Sequence, residues 1–173
     1  KEINEIMVYF GGSDTGNNTL KALKGIHASL GSNSHVKVIL NTHSSDRGAV
    51  ESFAETMTDS ICLDFVENMS EIMYNSDLYV GSAGITTWER CSMGLASIVV
   101  AIAENQVEPM NELYEAGMSF FLGRQEDVTP EIIAKQIDTI YKNPSDLEIM
   151  RKKILALVDG RGAAKCALEI YRV

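Results

Sequence analysis

Basic residues are the smaller part of the charge in this chain. There are 15 Lys and Arg against 24 Asp and Glu, for a net charge of −9. Nucleic acid and anionic membrane surfaces both require a basic patch. The longest basic cluster is Arg151-Lys152-Lys153, which reads as a solvated helix face, so neither partner is expected. Long hydrophobic runs are also lacking. No apolar stretch nears the roughly 20 residues that span a bilayer, and Lys1-Glu2-Ile3-Asn4-Glu5 does not read as a signal peptide. A soluble, cytoplasmic location is the expectation. Cysteine is sparse and odd in number: Cys62, Cys91 and Cys166 lie far apart in apolar or helical sequence. This pattern predicts buried free thiols in a reducing compartment and excludes a disulfide framework. His27, His35 and His43 have no ligand spacing with them, so no metal and no other cofactor is expected.

What is present is an ordinary globular makeup, 45% hydrophobic and 23% charged over 173 residues, enough for one domain spanning residues 1–173 with a full core. Short apolar runs alternate with helical patterns. Strands are predicted at Glu5 to Phe10, Val36 to Leu40, Ile61 to Val66, Leu78 to Val80, Ser97 to Ile102 and Phe120 to Leu122. Between them, Leu20, Leu23, Ile26 and Leu30 share one helical face, and Val50, Phe53, Ala54 and Met57 share another. Gly117 fits a helix C-cap, Thr129-Pro130 an N-cap and first helical position, and Asn143-Pro144 a break before a helix to Val158. The last helix runs from Ala163 to Arg172. There is no repeat and no low-complexity tract. The reading is an α/β domain: a Rossmann-like, doubly wound parallel sheet of about six strands.

In such sheets ligands sit outside the carboxyl ends of the strands, where the chemically unusual segments fall. Gly81-Ser82-Ala83-Gly84 joins a strand directly to a helix beginning near Thr86. The glycines are expected to take positive φ and admit a ligand, with the N–H groups of Ile85, Thr86 and Thr87 facing a phosphate. Glu89 is one turn further along, placed to accept from paired ribose hydroxyls. Gly11-Gly12-Ser13 offers a second set of donors. It is neither Gly-x-Gly-x-x-Gly nor a P-loop, which argues against NAD and Mg-ATP. Asn105-Gln106 carries two amides suited to sugar hydroxyls, and Phe65-Val66 is a place for a base. A ligand-free turn at each position stays open on spacing alone. Trp88 is expected to pack beneath the loop, beside Cys91 and Leu95, and His43 is the one histidine placed at a strand end. No Ser-His-Asp order, carboxylate pair or Cys-His pair stands out, so no catalytic residue is assigned.

The run Gly81-Ser82-Ala83-Gly84-Ile85-Thr86-Thr87-Trp88-Glu89-Arg90-Cys91-Ser92-Met93-Gly94-Leu95-Ala96-Ser97, followed by Ala101-Ile102-Ala103-Glu104-Asn105-Gln106, resembles the signature of the UDP-sugar hydrolases of the pseudaminic acid pathway. That group includes spore-coat polysaccharide proteins. Phe10-Gly11-Gly12-Ser13-Asp14 and Asp159-Gly160-Arg161-Gly162 fit the same pattern. More distantly, the layout is similar to the carboxyl-terminal half of the bacterial N-acetylglucosaminyltransferase that completes the peptidoglycan precursor. The resemblance implies the C-terminal half of a GT-B fold, whose partner is an N-terminal GT-B domain of the same protein and whose ligand is a UDP-sugar. It places Gly12 and Ser13 along the diphosphate, Gly84, Ile85 and Thr86 over it, and Glu89 on the ribose. Asn105 and Gln106 fall near the sugar and Val66 borders the uracil.

The chain departs from the family where Ala83 replaces glycine, Ile85 a small hydroxyl residue and Ala96 proline. None of its histidines matches the catalytic one that the hydrolases carry in their amino-terminal domain. The expectation is therefore a UDP-sugar-binding domain of a hydrolase that frees a diacetamido-trideoxy-hexose for nonulosonic acid synthesis. Two alternatives remain. One is the donor-binding half of a GT-B glycosyltransferase; the other is a non-catalytic module fused to a sugar cytidylyltransferase.

Overall fold

The computed structural model describes residues 3–12, 14, 16–41, 46–64 and 66–172. Strand β1 (Glu5–Tyr9) leads to α1 (Asn18–Leu30), β2 (His35–Ile39) to α2 (Arg47–Ala54), and β3 (Asp59–Leu63) to α3 (Met69–Asn75). Strand β4 (Leu78–Ser82) feeds α4 (Thr86–Ser92), and β5 (Ser97–Ala101) passes through a 3-10 turn at Glu104–Gln106 into α5 (Val107–Glu115). Then come β6 (Phe120–Arg124), α6 (Pro130–Lys142), α7 (Pro144–Leu157) and α8 (Gly162–Tyr171).

The six strands form one parallel sheet in the order β3-β2-β1-β4-β5-β6. Side chains alternate across a strand, and here both faces are covered, so the central strands carry apolar residues in succession. Ile6 and Val8 of β1, Leu78 and Val80 of β4, and Ile98 and Val100 of β5 join Leu23, Ile26, Ile133, Ile137 and Met150 in the larger core. Met7, Tyr79 and Val99, the residues in between, face Met73 of α3 and Met110 and Leu113 of α5. Each fully buried Leu or Ile contributes roughly 2 kcal/mol, so these two layers carry the fold.

Strand order reverses at β1, which pairs with β2 on one side and with β4 on the other. The connections leaving β1 and β4 therefore run to opposite faces of the sheet and open a crevice between their carboxyl ends.

Several local expectations are corrected. The third strand spans Asp59–Leu63 instead of Ile61 to Val66, because its ladder with β2 runs from His35↔Asp59 to Ile39↔Leu63. Cys91 is buried, but Cys62 is only half-buried and Cys166 is exposed. Cys166 sits on α8, which buries none of its residues and leaves Leu168, Ile170 and Tyr171 open. Trp88 is 53% exposed and does not pack beneath the loop, because α4 turns Thr87, Arg90 and Cys91 inward. Among the described residues, no helix is long and apolar enough to cross a membrane.

Candidate functional site

The first wall of the crevice is the turn after β1. Gly11 adopts φ 89°, a conformation that favours glycine. Gly12 is exposed, and its carbonyl accepts from Asn41 Nδ2 at 2.8 Å. Ser13 lies outside the described residues. Asp14 is buried at the start of α1, where Oδ1 accepts from the Asn18 backbone N–H (3.0 Å) and from Asn18 Nδ2 (2.9 Å). Its Oδ2 accepts from the Thr19 N–H at 2.6 Å. Two donors of the first helix are thus committed to a carboxylate of the chain itself. A dinucleotide pyrophosphate would need that helix end, so the arrangement speaks against NAD in the same direction as the missing glycine fingerprint. Asn18 Nδ2 also reaches Gln125 Oε1 (2.8 Å), and Lys21 Nζ donates to the Gln125 carbonyl (2.8 Å). These bonds tie the turn after β1 to the turn after β6.

The second wall is the turn after β4. Gly81 and Gly84 are not among the glycines with positive φ, contrary to the sequence expectation. Gly81 is required by close approach: a Cβ there would stand 2.0 Å from the Tyr9 carbonyl oxygen and 2.5 Å from the Tyr79 hydroxyl. Gly84 faces open space, with Ser82 Oγ and Gln106 Nε2 the nearest atoms to a Cβ, at 3.9 and 4.0 Å. The Thr87 N–H donates back to the Gly84 carbonyl (3.0 Å), so it is not free for a ligand as expected. The N–H groups of Ile85 and Thr86 take no backbone partner among the described residues. The Ile85 side chain is 86% exposed, and Glu89 is exposed one turn into α4.

Beneath this turn lies Arg90, 2% exposed, which sequence reasoning did not single out. Its guanidinium carbon sits 4.2 Å above the centre of the Tyr79 ring, and one terminal nitrogen donates to Thr87 Oγ1 at 3.0 Å. Burial pulls the Arg90 pKa down, which the neighbouring Tyr79 opposes. Burial also pushes the Tyr79 hydroxyl up, offset in part by the Arg90 charge and by hydrogen bonding with Thr86 and Ser82.

The end of β5 forms the far side. Gln106 Oε1 accepts from the Ile102 N–H at 2.9 Å, which turns its amide nitrogen toward Gly84. Asn105 is exposed beside it. Glu104 pairs with Arg124 of β6 through both guanidinium nitrogens, one at 2.7 Å. That bond holds the Glu104 carboxyl below its ordinary value and raises Arg124.

On the opposite flank, a cleft of about 360 Å³ is lined by Gly11, Gly12, Leu40, Asn41, Asp64 and Val66. The structure therefore brings Val66 and Gly12 to one cleft and Gly84 and Gln106 to one turn. Tyr9, which also lines the cleft, pairs in register with Gly81 at the end of β4. Phe65 and His43 lie outside the described residues. His27 packs edge-on against Phe53 at 5.7 Å, and His35 opens β2 at the amino-terminal end of the sheet, so neither reaches the crevice. Among the described residues no group of His, Cys, Asp and Glu could hold a metal.

The sequence pattern of the glycosyltransferase family 28 C-terminal domain matches residues 6–165. No curated protein matches at a significant level. Among solved structures, MurG of Acinetobacter baumannii superposes with TM-score 0.78 at 18% identity, over 100% of this chain and 51% of that one. The UDP-GlcNAc 2-epimerase of Neisseria meningitidis, bound to UDP-GlcNAc, superposes with TM-score 0.72 at 14% identity, over 100% of this chain and 45% of that one. The catalytic domain of a Helicobacter pylori cholesterol-alpha-glucosyltransferase gives TM-score 0.66 at 14% identity, over 88% of this chain and 96% of that one. These likenesses establish the fold, the Rossmann-like sheet of GT-B proteins. The chain spans about half the length of MurG. The pseudaminic-pathway hydrolases expected from the sequence find no support among these matches.

Proposed function

The chain belongs to the glycosyltransferase family 28 C-terminal domains, and on that premise we propose that it is the donor-binding half of a two-domain glycosyltransferase that takes a UDP-sugar. One observation carries the reading. The cleft at Val66 and Asn41, the turn at Gly84 and the Gln106 amide all stand at the carboxyl ends of the parallel strands, where the strand order reverses. The cleft at Val66 and Asn41 takes the uracil. Glu89, exposed on α4, accepts from the ribose hydroxyls. The diphosphate spans the seam between Gly12, with Ser13, and the Ile85 and Thr86 N–H groups beyond Gly84. Asn105 and the Gln106 amide nitrogen meet the sugar. Ile85 stands where the pseudaminic-pathway hydrolases have a small hydroxyl residue, yet capping by its backbone N–H survives the change.

In that arrangement the chain's own chemistry is to bind and orient. Backbone donors facing the diphosphate stabilise the charge that gathers on UDP as the sugar leaves. The acceptor and the group that deprotonates it belong to an amino-terminal domain facing the same crevice. The exposed Leu168, Ile170 and Tyr171 of α8 support an approach of that domain.

A second reading keeps the same pocket and replaces the acceptor with water. The run Trp88-Glu89-Arg90-Cys91 supports it through its resemblance to the pseudaminic-pathway hydrolases. Calorimetric titration of the 173-residue chain with UDP, UMP, CDP and NAD tests the donor site. Selective UDP binding, weakened by Glu89→Ala and by Thr86→Pro, is the expected result. Equal or absent binding of all four overturns it in favour of a non-catalytic module. With the whole protein, sugar released from UDP without any acceptor distinguishes hydrolysis from transfer.

A further inference from the structure

We propose that Arg90 is a positioning residue that acts through its charge, making the crevice selective for a ligand bearing a diphosphate. This inference rests on the donor-site reading. The guanidinium is enclosed, 2% exposed, and its Nε has no hydrogen-bond partner among the described residues. Buried arginines are ordinarily matched by a carboxylate. Here Arg90 forms no salt bridge among the described residues, and the groups whose charge bears on it are Tyr79 and Cys91. Burial pushes both of those groups up, so both are neutral near pH 7. Arginine stays protonated in proteins. The fold thus encloses one unit of positive charge, stacked on the Tyr79 ring, with which no carboxylate among the described residues pairs.

Its location gives that charge a use. Arg90 stacks on Tyr79, whose hydroxyl donates to the carbonyl of Tyr9 (2.7 Å) and lies 3.3 Å from that of Ser82. Those are the last residues of β1 and β4, the two strands whose ends flank the crevice. Its hydrogen-bond partner Thr87 stands in the first turn of α4, next to the Ile85 and Thr86 N–H groups, so the guanidinium is tied to the turn that borders the crevice. A cation enclosed at such a point is compensated when an anion occupies the crevice. In a low-dielectric interior, salt does little to screen that attraction.

The test compares UDP with uridine, since only the former carries the charge. A unit charge about 10 Å from another, at an effective dielectric near 20, changes affinity by roughly tenfold. Arg90→Met should therefore weaken UDP by about tenfold or more while leaving uridine, followed by ligand-observed NMR, within about twofold. The melting temperature of the free chain should hold or rise, because an apolar side chain of similar volume replaces an uncompensated buried charge. Arg90→Lys keeps the charge without the planar fork, and its ratio of UDP to uridine affinity should stay within about threefold of the parent. Parallel loss of UDP and uridine in Arg90→Met would mean a structural role only and overturn the proposal. So would a folded Arg90→Lys chain that has lost the ratio. Failure of the parent chain to bind UDP overturns the donor-site reading and this inference with it. UDP binding unchanged by Arg90→Met overturns this inference alone.

Discussion

The Tyr79 hydroxyl donates to the Tyr9 carbonyl across the β1–β4 seam at 2.7 Å, a bond that Gly81 permits by having no side chain. Tyr9 and Gly81 are register partners, so the phenol passes directly over the glycine. The seam that flanks the crevice is therefore fixed by a side-chain bridge as well as by its ladder. Gly81→Ala places a methyl within 2.0 Å of backbone that cannot yield. Forced overpacking of this kind destabilises by about 3 kcal/mol. Tyr79→Phe removes the bridge but no bulk, and about 1 to 2 kcal/mol is expected. Urea unfolding of both variants, with an unchanged slope, checks the order Gly81→Ala worse than Tyr79→Phe.

Asp14, Asn18 and Gln125 act as one polar unit. Asp14→Ala strands two N–H groups at the start of α1, where losing a capping side chain costs about 1 to 2 kcal/mol. Gln125→Ala removes an acceptor that Asn18 uses at 2.8 Å. Since Asn18 Nδ2 serves both partners, the double variant should be less destabilised than the sum of the singles by roughly 0.5 kcal/mol or more. A strictly additive double-mutant cycle in denaturant would show that the two turns are not linked.

The strands and helices were legible because this fold writes them in a simple code. Ile6, Met7 and Val8 are apolar in succession because both faces of β1 are covered, and Pro130 and Pro144 open helices as their fixed φ favours. Gly12, Gly84 and Gln106 could be assembled at one end of the sheet because topology puts all carboxyl ends of parallel strands there. Two things resisted. Gln125 meets Asn18 across 107 residues, a pairing that no local pattern carries. Arg90 sits in an unremarkable Glu-Arg-Cys run, where a charge reads as solvated until packing shows which face of α4 is turned inward. The same rotation explains Trp88: with Thr87, Arg90 and Cys91 forming the inward face, Trp88 lies about 100° round the helix from its centre and is half exposed.

The Glu104–Arg124 pair gives the far side of the crevice a defined acid titration. The hydrogen bond from Arg124 lowers the Glu104 pKa in the folded chain. A depressed carboxyl contributes stability that is present above its ordinary range and fades as pH falls through the lowered value. NMR titration of the Glu104 side chain should show a midpoint below that of ordinary glutamates, and Arg124→Ala should return it toward them. Both groups are at the surface, so the accompanying change in unfolding free energy at neutral pH is small and diminishes with added salt. An unmoved midpoint in Arg124→Ala would separate the two residues and leave the turn after β5 held by Gln106 alone.

The ribose assignment of Glu89 makes the sharpest demand on ligand chemistry. A carboxylate accepts hydrogen bonds and cannot donate them near neutral pH, so it rewards a ligand that presents hydroxyl donors. Each charge-assisted bond is worth about 1.5 to 3 kcal/mol, or roughly ten- to a hundredfold in affinity. The parent chain should therefore prefer UDP over 2′-deoxy-UDP by about tenfold or more. Glu89→Ala should abolish that preference by weakening UDP more than 2′-deoxy-UDP, which offers the carboxylate only its 3′-hydroxyl. Glu89→Gln retains one accepting oxygen but loses the charge, and should fall between the two. Because the Glu89 side chain is exposed on α4, none of these changes should lower the melting temperature of the free chain. A preference that persists in Glu89→Ala would move the ribose elsewhere in the crevice, and an equal loss of UDP and 2′-deoxy-UDP would point to a general effect of the carboxylate on the turn at Gly84.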